Sequence, residues 1–202
     1  ALPWDATAFM AGLLKRFDYD HTKVCRALIA PALSKVRVLI PFFVPNFWKK
    51  CGGIDATYFN FETMMHHPFA NVLIYPEGIA GIGKGFSKRY QLQRLSTSFV
   101  RMSLKYDTDI VPFSTVNGEY VNPYMYNIPP INWLVRRLTG IPFLPMGLLT
   151  LLLLFQPWFL YYSFPAKLTY VKGKRIRRKD LSEKSFSEIS EEEIRAIRDE
   201  RS

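Results

Sequence analysis

The chain has 202 residues, enough for one domain with a sizeable core but cramped for two. A hydrophobic content of 49% excludes a disordered polymer, and a formal net charge of +10 asks for an anionic partner: nucleic acid, lipid headgroups or a phosphorylated substrate. The two cysteines, Cys25 and Cys51, have no paired spacing, which excludes a structural zinc site and a disulfide framework and makes a reducing compartment the default.

Phe9, Met10, Leu13, Leu14 and Phe17 follow helical spacing, with Pro3 near the start, so residues 1–17 are predicted to form an amphipathic helix. Residues 24–30 read as a short buried strand. Residues 33–50 have helical content interrupted by Pro41 and Pro45. A short strand at 54–57 follows Gly52-Gly53, then a helix at 58–67 and a strong strand at 71–75 that runs into Pro76-Glu77-Gly78 and a glycine-rich loop. A helix at 94–106 leads to a strand at 109–113. Strands alternating with helices predict an α/β fold, a mostly parallel sheet flanked by helices, with its site where loops leave the strands' carboxyl ends. Pro76-Glu77-Gly78 sits at one such end and Gly118-Glu119 follows another strand.

Residues 138–166 carry no charged side chain, but Pro142, Pro145 and Pro157 interrupt them. The stretch is predicted to be an apolar loop or hairpin that dips into one leaflet or packs over the core without crossing a membrane; in the first case Trp133 and Trp158 flank it and Arg136, Arg137 and Lys167 meet headgroups. A closing strand is expected at 167–171 and a basic run at 172–179; Ser190-x-x-Glu193 is a capping box opening the last helix. This division gives a main domain over 1–176 and a charged helical tail over 177–202.

The segment 75–94 is the most informative chemically. A strand ends in an acid, and glycines follow among Lys84, Lys88, Arg89 and Arg94. Such a loop can turn amides and cations toward a phosphate, or can be a flexible basic loop with a structural acid. The order of residues is not that of a Walker loop. His21 beside Asp18 and Asp20 reads as solvated, and His66-His67 as helix-end residues; no group has metal-ligand spacing. Cys25 and Cys51 read as core. Aromatics at 15% suit a lipid boundary, and no groove-reading helix or aromatic RNA motif supports nucleic acid.

Four blocks, in order over 1–176, resemble the glycerophospholipid acyltransferase family, the lysophosphatidic acid acyltransferases and their relatives. Ala1-Leu2-Pro3-Trp4-Asp5 fits the end of that family's His-x-x-x-x-Asp motif, which places the His immediately before Ala1. Gly52-Gly53-Ile54-Asp55 is similar to the second block, Tyr75-Pro76-Glu77-Gly78 to the third and Ile110-Val111-Pro112 to the fourth. The run 88–94 is similar to a bacterial branch.

The resemblance implies a glycerolipid acyltransferase-like fold. It implies direct transfer of a fatty acyl group, from acyl-CoA or acyl carrier protein, to the hydroxyl of a lysophospholipid or glycerolipid in phospholipid biosynthesis. No covalent intermediate, metal or other cofactor is implied. The motif His would be the general base and Asp5 would orient its imidazole and stabilise its charged form. Glu77 and Gly78, with Lys84, Lys88 and Arg89, would position the acceptor, and Pro112 would shape the site wall. Membrane lipids would be the partners, at the cytoplasmic face of a membrane. Ala80 stands where the family's third block usually has Arg, so either Lys84, Lys88 or Arg89 supplies the charge instead or the acceptor is neutral, such as a diacylglycerol or long-chain alcohol. A separate alternative is a non-catalytic lipid-binding module, decided by the residue before Ala1.

Overall fold

The computed structural model describes residues 4–31, 47–67, 71–139, 146–152, 155–156 and 162–201. The first helix, α1 (Trp4–Arg16), carries Asp5 in its first turn and Lys15 and Arg16 in its last, charges that complement the helix dipole at both ends. The strand β1 (Cys25–Ile29) lies between β2 (Ile54–Asp55) and β3 (Asn71–Leu73) and pairs parallel with both, Leu28 opposite Ile54 and Ala27 opposite Leu73. A short helix, α2 (Phe47–Lys50), leads into β2 through Gly52 and Gly53. A Cβ on Gly53 would lie 2.2 Å from Ile29 Cδ1 and 2.9 Å from the Trp48 carbonyl oxygen, so glycine is what lets this turn reach β1. The helix α3 (Tyr58–Met65) starts at Thr57, whose hydroxyl accepts from the Asn60 amide at 3.2 Å. It leads from β2 on one side of β1 to β3 on the other, a crossover that keeps the two strands parallel.

Beyond β3 come α4 (Gly78–Gly83) and α5 (Ser98–Tyr106). The strand β4 (Phe113–Val116) then pairs antiparallel with β5 (Thr169–Lys172), Phe113 opposite Lys172. Phe9 of α1 stacks on Phe113 at 4.7 Å and meets Tyr170 at 5.1 Å, which fastens α1 to this pair. Between β4 and β5 lie α6 (Pro129–Thr139) and α7 (Leu148–Leu152). The last helix, α8 (Glu191–Glu200), begins at the expected capping box: Ser190 Oγ accepts from the Glu193 amide and Glu193 Oε2 from the Ser190 amide. Ile194 of α8 joins Leu181, Val100 and Leu104 in a buried cluster, so the charged C-terminal segment is packed onto α5.

The architecture is mixed α/β with a small parallel sheet, and the β4–β5 pair is antiparallel. The strands expected at 54–57 and 71–75 end early, at Asp55 and Leu73, and four further local expectations change. The segment after Glu77 is helical over Gly78–Gly83 where a loop was predicted. The helix expected from residue 94 begins at Ser98; 91–96 is instead irregular chain tied back by the Ser96 amide on the Pro76 carbonyl at 2.8 Å and by the Gln93 amide on Glu77 at 2.9 Å. The strand expected over 109–113 begins only at Phe113. Pro112 has no N–H for a ladder, and Ile110 makes an isolated bridge with Ile176. Cys25 is half-buried and Cys51 exposed, so neither is core as expected; partial desolvation raises both thiol pKa values.

Most of the predicted broken helix at 33–50 and parts of the 138–166 stretch, Trp158 among them, lie outside the described residues. Among the described residues no helix is long and apolar enough to cross a membrane.

Candidate functional site

The site is built where the start of α1 meets the chain leaving β3. Asp5 is in the first turn of α1, and Tyr75 lies two residues past the end of β3. The Tyr75 phenol stands beside the Asp5 carboxylate and favours its ionised form. Tyr170 of β5 donates to the Asp5 backbone carbonyl at 2.7 Å. Three distant parts of the chain thus converge on one residue.

Burial pushes the Asp5 carboxyl above the ordinary carboxylate range. The Ala6 amide and the Tyr75 phenol favour the ionised form but do not cancel the desolvation, and Glu119 adds repulsion. Burial of their hydroxyls, with the Asp5 charge beside them, raises the phenols of Tyr75 and Tyr170. A desolvated carboxylate held by a phenol is an acceptor suited to orienting a donor cation such as an imidazolium.

Glu77 is half-buried, and its Oε2 accepts from the Gln93 amide at 2.9 Å. A Cβ on Gly81 would lie 2.7 Å from the Glu77 Cβ, so the glycine of α4 makes room for this side chain. Gly78 has φ +57°, and its amide closes the turn on the Tyr75 carbonyl at 2.9 Å. Lys84 is committed within the protein: its ammonium lies 3.2 Å from Glu119 Oε1 and donates to the Gln91 carbonyl at 2.9 Å. Burial alone would raise the Glu119 carboxyl. The backbone amides of Glu119 and Tyr90 and the Lys84 ammonium outweigh that and hold it below its ordinary value.

Lys88 and Arg89 are exposed, the Arg89 guanidinium lying over the Phe86 ring at 5.1 Å. Pro112 is exposed at the start of β4, and its carbonyl accepts from the Gly173 amide at 2.8 Å. Gly52 lies beside α1: a Cβ there would be 3.9 Å from the Met10 Cε.

The structure therefore brings Asp5 together with Tyr75, the residue leading into Pro76-Glu77-Gly78, and ties Lys84 to Glu119. It leaves Lys88, Arg89 and Pro112 at the surface without a described contact to Asp5. Sequence reasoning missed the roles of Tyr75, Tyr170 and Glu119. Tyr75 and Glu119 each adjoin a segment already singled out, a signal that was there to use; Tyr170 has no sequence signal at all. An open groove of about 350 Å³ runs along the small-residue face of α1, Thr7, Ala8 and Ala11, and is closed by Trp4, Phe164 and Leu168. His66 packs edge-on against Tyr106 and His21 and His67 are exposed. Among the described residues no cluster of His, Cys, Asp and Glu could hold a metal ion.

Over 74 residues the chain is 38% identical to an uncharacterized protein of Mycobacterium leprae. It is 36% identical, over the same length, to uncharacterized proteins of Mycobacterium bovis and Mycobacterium tuberculosis. The match covers 36% of this chain and spans about a fifth of those relatives, 19% of the first and 20% of the others. No protein-family profile and no solved structure matches the chain.

Proposed function

We propose that this chain carries the acyl-transfer site of a glycerolipid acyltransferase, working at a membrane surface and moving a fatty acyl group from a thioester carrier to a lipid hydroxyl. The single observation that supports the reading is the Tyr75 phenol standing beside the Asp5 carboxylate, which brings the first and third motif blocks together past the carboxyl end of a parallel strand. A hydroxyl is a poor nucleophile at neutral pH and needs a positioned base. In this reading a His immediately before Ala1 is that base, and Asp5 receives its other ring N–H. Glu77 shapes the turn that faces the acceptor, and the groove along α1 holds apolar chain.

A neutral acceptor is the second reading. It is favoured by Ala80 in place of a cation and by Lys84 being engaged with Glu119 instead of standing free for a phosphate.

The test is acyl transfer by the polypeptide that includes the residue before Ala1. It is given radiolabelled long-chain acyl-CoA with lysophosphatidic acid, diacylglycerol or a long-chain alcohol, and the lipid products are resolved. Transfer to one of these acceptors is expected, falling ~10²-fold or more in Asp5→Asn. No transfer to any hydroxyl lipid, or full activity in Asp5→Asn, overturns the proposal.

A further inference from the structure

The helix α6 is an element that the sequence did not announce, and it is oddly presented. Asn132 is buried and Ile131 and Val135 are half-buried, so one side of the helix faces the protein. Leu134 and Leu138, four residues apart and therefore on one face, are 48% and 70% exposed, and Trp133 is 62% exposed. A short helix that keeps an indole and two leucines in water marks an interaction surface.

The second apolar helix continues it. Reciprocal hydrogen bonds between Tyr126 and Met146, at 2.8 and 2.9 Å, bring the segments leading into α6 and α7 side by side. Leu148 and Leu151 of α7 are exposed, and Phe155 just beyond it is 84% exposed.

We propose that α6, with the exposed side of α7, docks the protein onto an anionic bilayer, lying along the surface with its leucines and Trp133 at the acyl boundary. Charge selects this occupant over a protein. No Asp or Glu occurs between Glu119 and Asp180, whereas Arg136 and Arg137 are exposed on α6 and Arg137 lies over the Trp133 ring at 5.5 Å. An apolar patch rimmed by arginines and an indole, within a long stretch free of carboxylates, fits anionic headgroups above an acyl layer. Length selects lying over spanning: the eleven residues of α6 reach about 16 Å against a hydrocarbon core of about 30 Å.

The surface is also fastened to the candidate site. The Phe86 amide donates to the Met125 carbonyl at 2.7 Å and Asn127 Nδ2 to the Gly83 carbonyl at 3.2 Å, so the loop before α6 is hydrogen-bonded to α4 and the turn after it. Naming the bilayer deepens the acyltransferase reading, and rests on it only for the purpose of docking; the docking residues are not those of the Asp5 cluster.

The experiment is flotation of the full chain with vesicles of equal phosphatidylglycerol and phosphatidylcholine, and with phosphatidylcholine alone, at low and high salt. Preference for the anionic vesicles is expected. Leu134→Ser/Leu138→Ser should lower partitioning about tenfold or more at both salts. Arg136→Gln/Arg137→Gln should lower it about fivefold per arginine at low salt only. The substituted side chains are exposed, so thermal melts of both variants should match the parent. Asp5→Asn should bind vesicles as the parent does, so that failure of the catalytic reading leaves this result standing. Unchanged partitioning by the leucine variant, or equal binding to neutral vesicles, overturns the proposal. A parent dimer that the leucine variant dissolves would make this face an interface between copies, and overturns it too.

Discussion

The Tyr75 phenol stands beside the Asp5 carboxylate, linking the exit of β3 to the first turn of α1. The phenol favours the ionised carboxylate, so its loss moves Asp5 further above its ordinary value. In Tyr75→Phe the acid limb of the pH–rate profile should therefore move to higher pH, with kcat lowered about ten- to a hundredfold, the effect of removing a polar partner from a charged group. Tyr170→Phe removes a bond to the backbone carbonyl of Asp5 and should leave that limb in place. Equal shifts in both variants would show a general loosening of α1 instead of a specific role for Tyr75.

Asp5 should also cost the fold stability near neutrality. Its folded-state pKa is raised, so the native state binds its proton more tightly than the unfolded chain does. The contribution is present below the unfolded value of 3.8 and is lost as pH rises through the folded value. Asp5→Asn should thus melt at or above the parent temperature at pH 7, with the gap narrowing toward pH 4, while the proposed acyl transfer falls ~10²-fold or more. A mutant that melts well below the parent at pH 7 would assign Asp5 to helix stabilisation.

Glu77 offers a separation of charge from hydrogen bonding. Glu77→Gln keeps an oxygen to accept from the Gln93 amide, so its stability should stay within about 0.5 kcal/mol of the parent. Glu77→Ala leaves that amide without its partner and should cost about 1–3 kcal/mol. Urea titration reads both. Activity lost in the alanine variant alone would make the carboxylate structural; activity lost in both, with Glu77→Gln stable, would place its charge at the acceptor.

Ile194 is 1% exposed and shares a cluster with Val100, Leu104 and Leu181. Ile194→Ala should cost about 2–5 kcal/mol, and removal of α8 should uncover α5 and abolish the cooperative melt. A melt unchanged by Ile194→Ala would mean that α8 docks too weakly to matter.

The sequence by itself determined the elements whose signals are local. The helical spacing of Phe9, Met10 and Leu13, the β-rich runs around Cys25–Ile29 and Asn71–Leu73, and the Ser190–Glu193 box all specify structure through neighbours a few residues away. It also marked Asp5 and Tyr75-Pro76-Glu77-Gly78 as segments worth watching. Only the tertiary structure decided what these residues touch. Tyr75 reaches Asp5 because parallel pairing of β1 with β3 carries the end of β3 toward α1, and Phe9 stacked on Phe113 holds α1 there. Lys84 looked like a cation for a ligand, but the fold places Glu119 within 3.2 Å and occupies it. Gly78–Gly83 has the composition of a loop; the Glu77 side chain against Gly81 and the 91–96 segment hydrogen-bonded across it accompany a helix. For Tyr75 and Lys84 the deciding partner lies far along the chain, and a propensity that acts over a few residues carries no information about it.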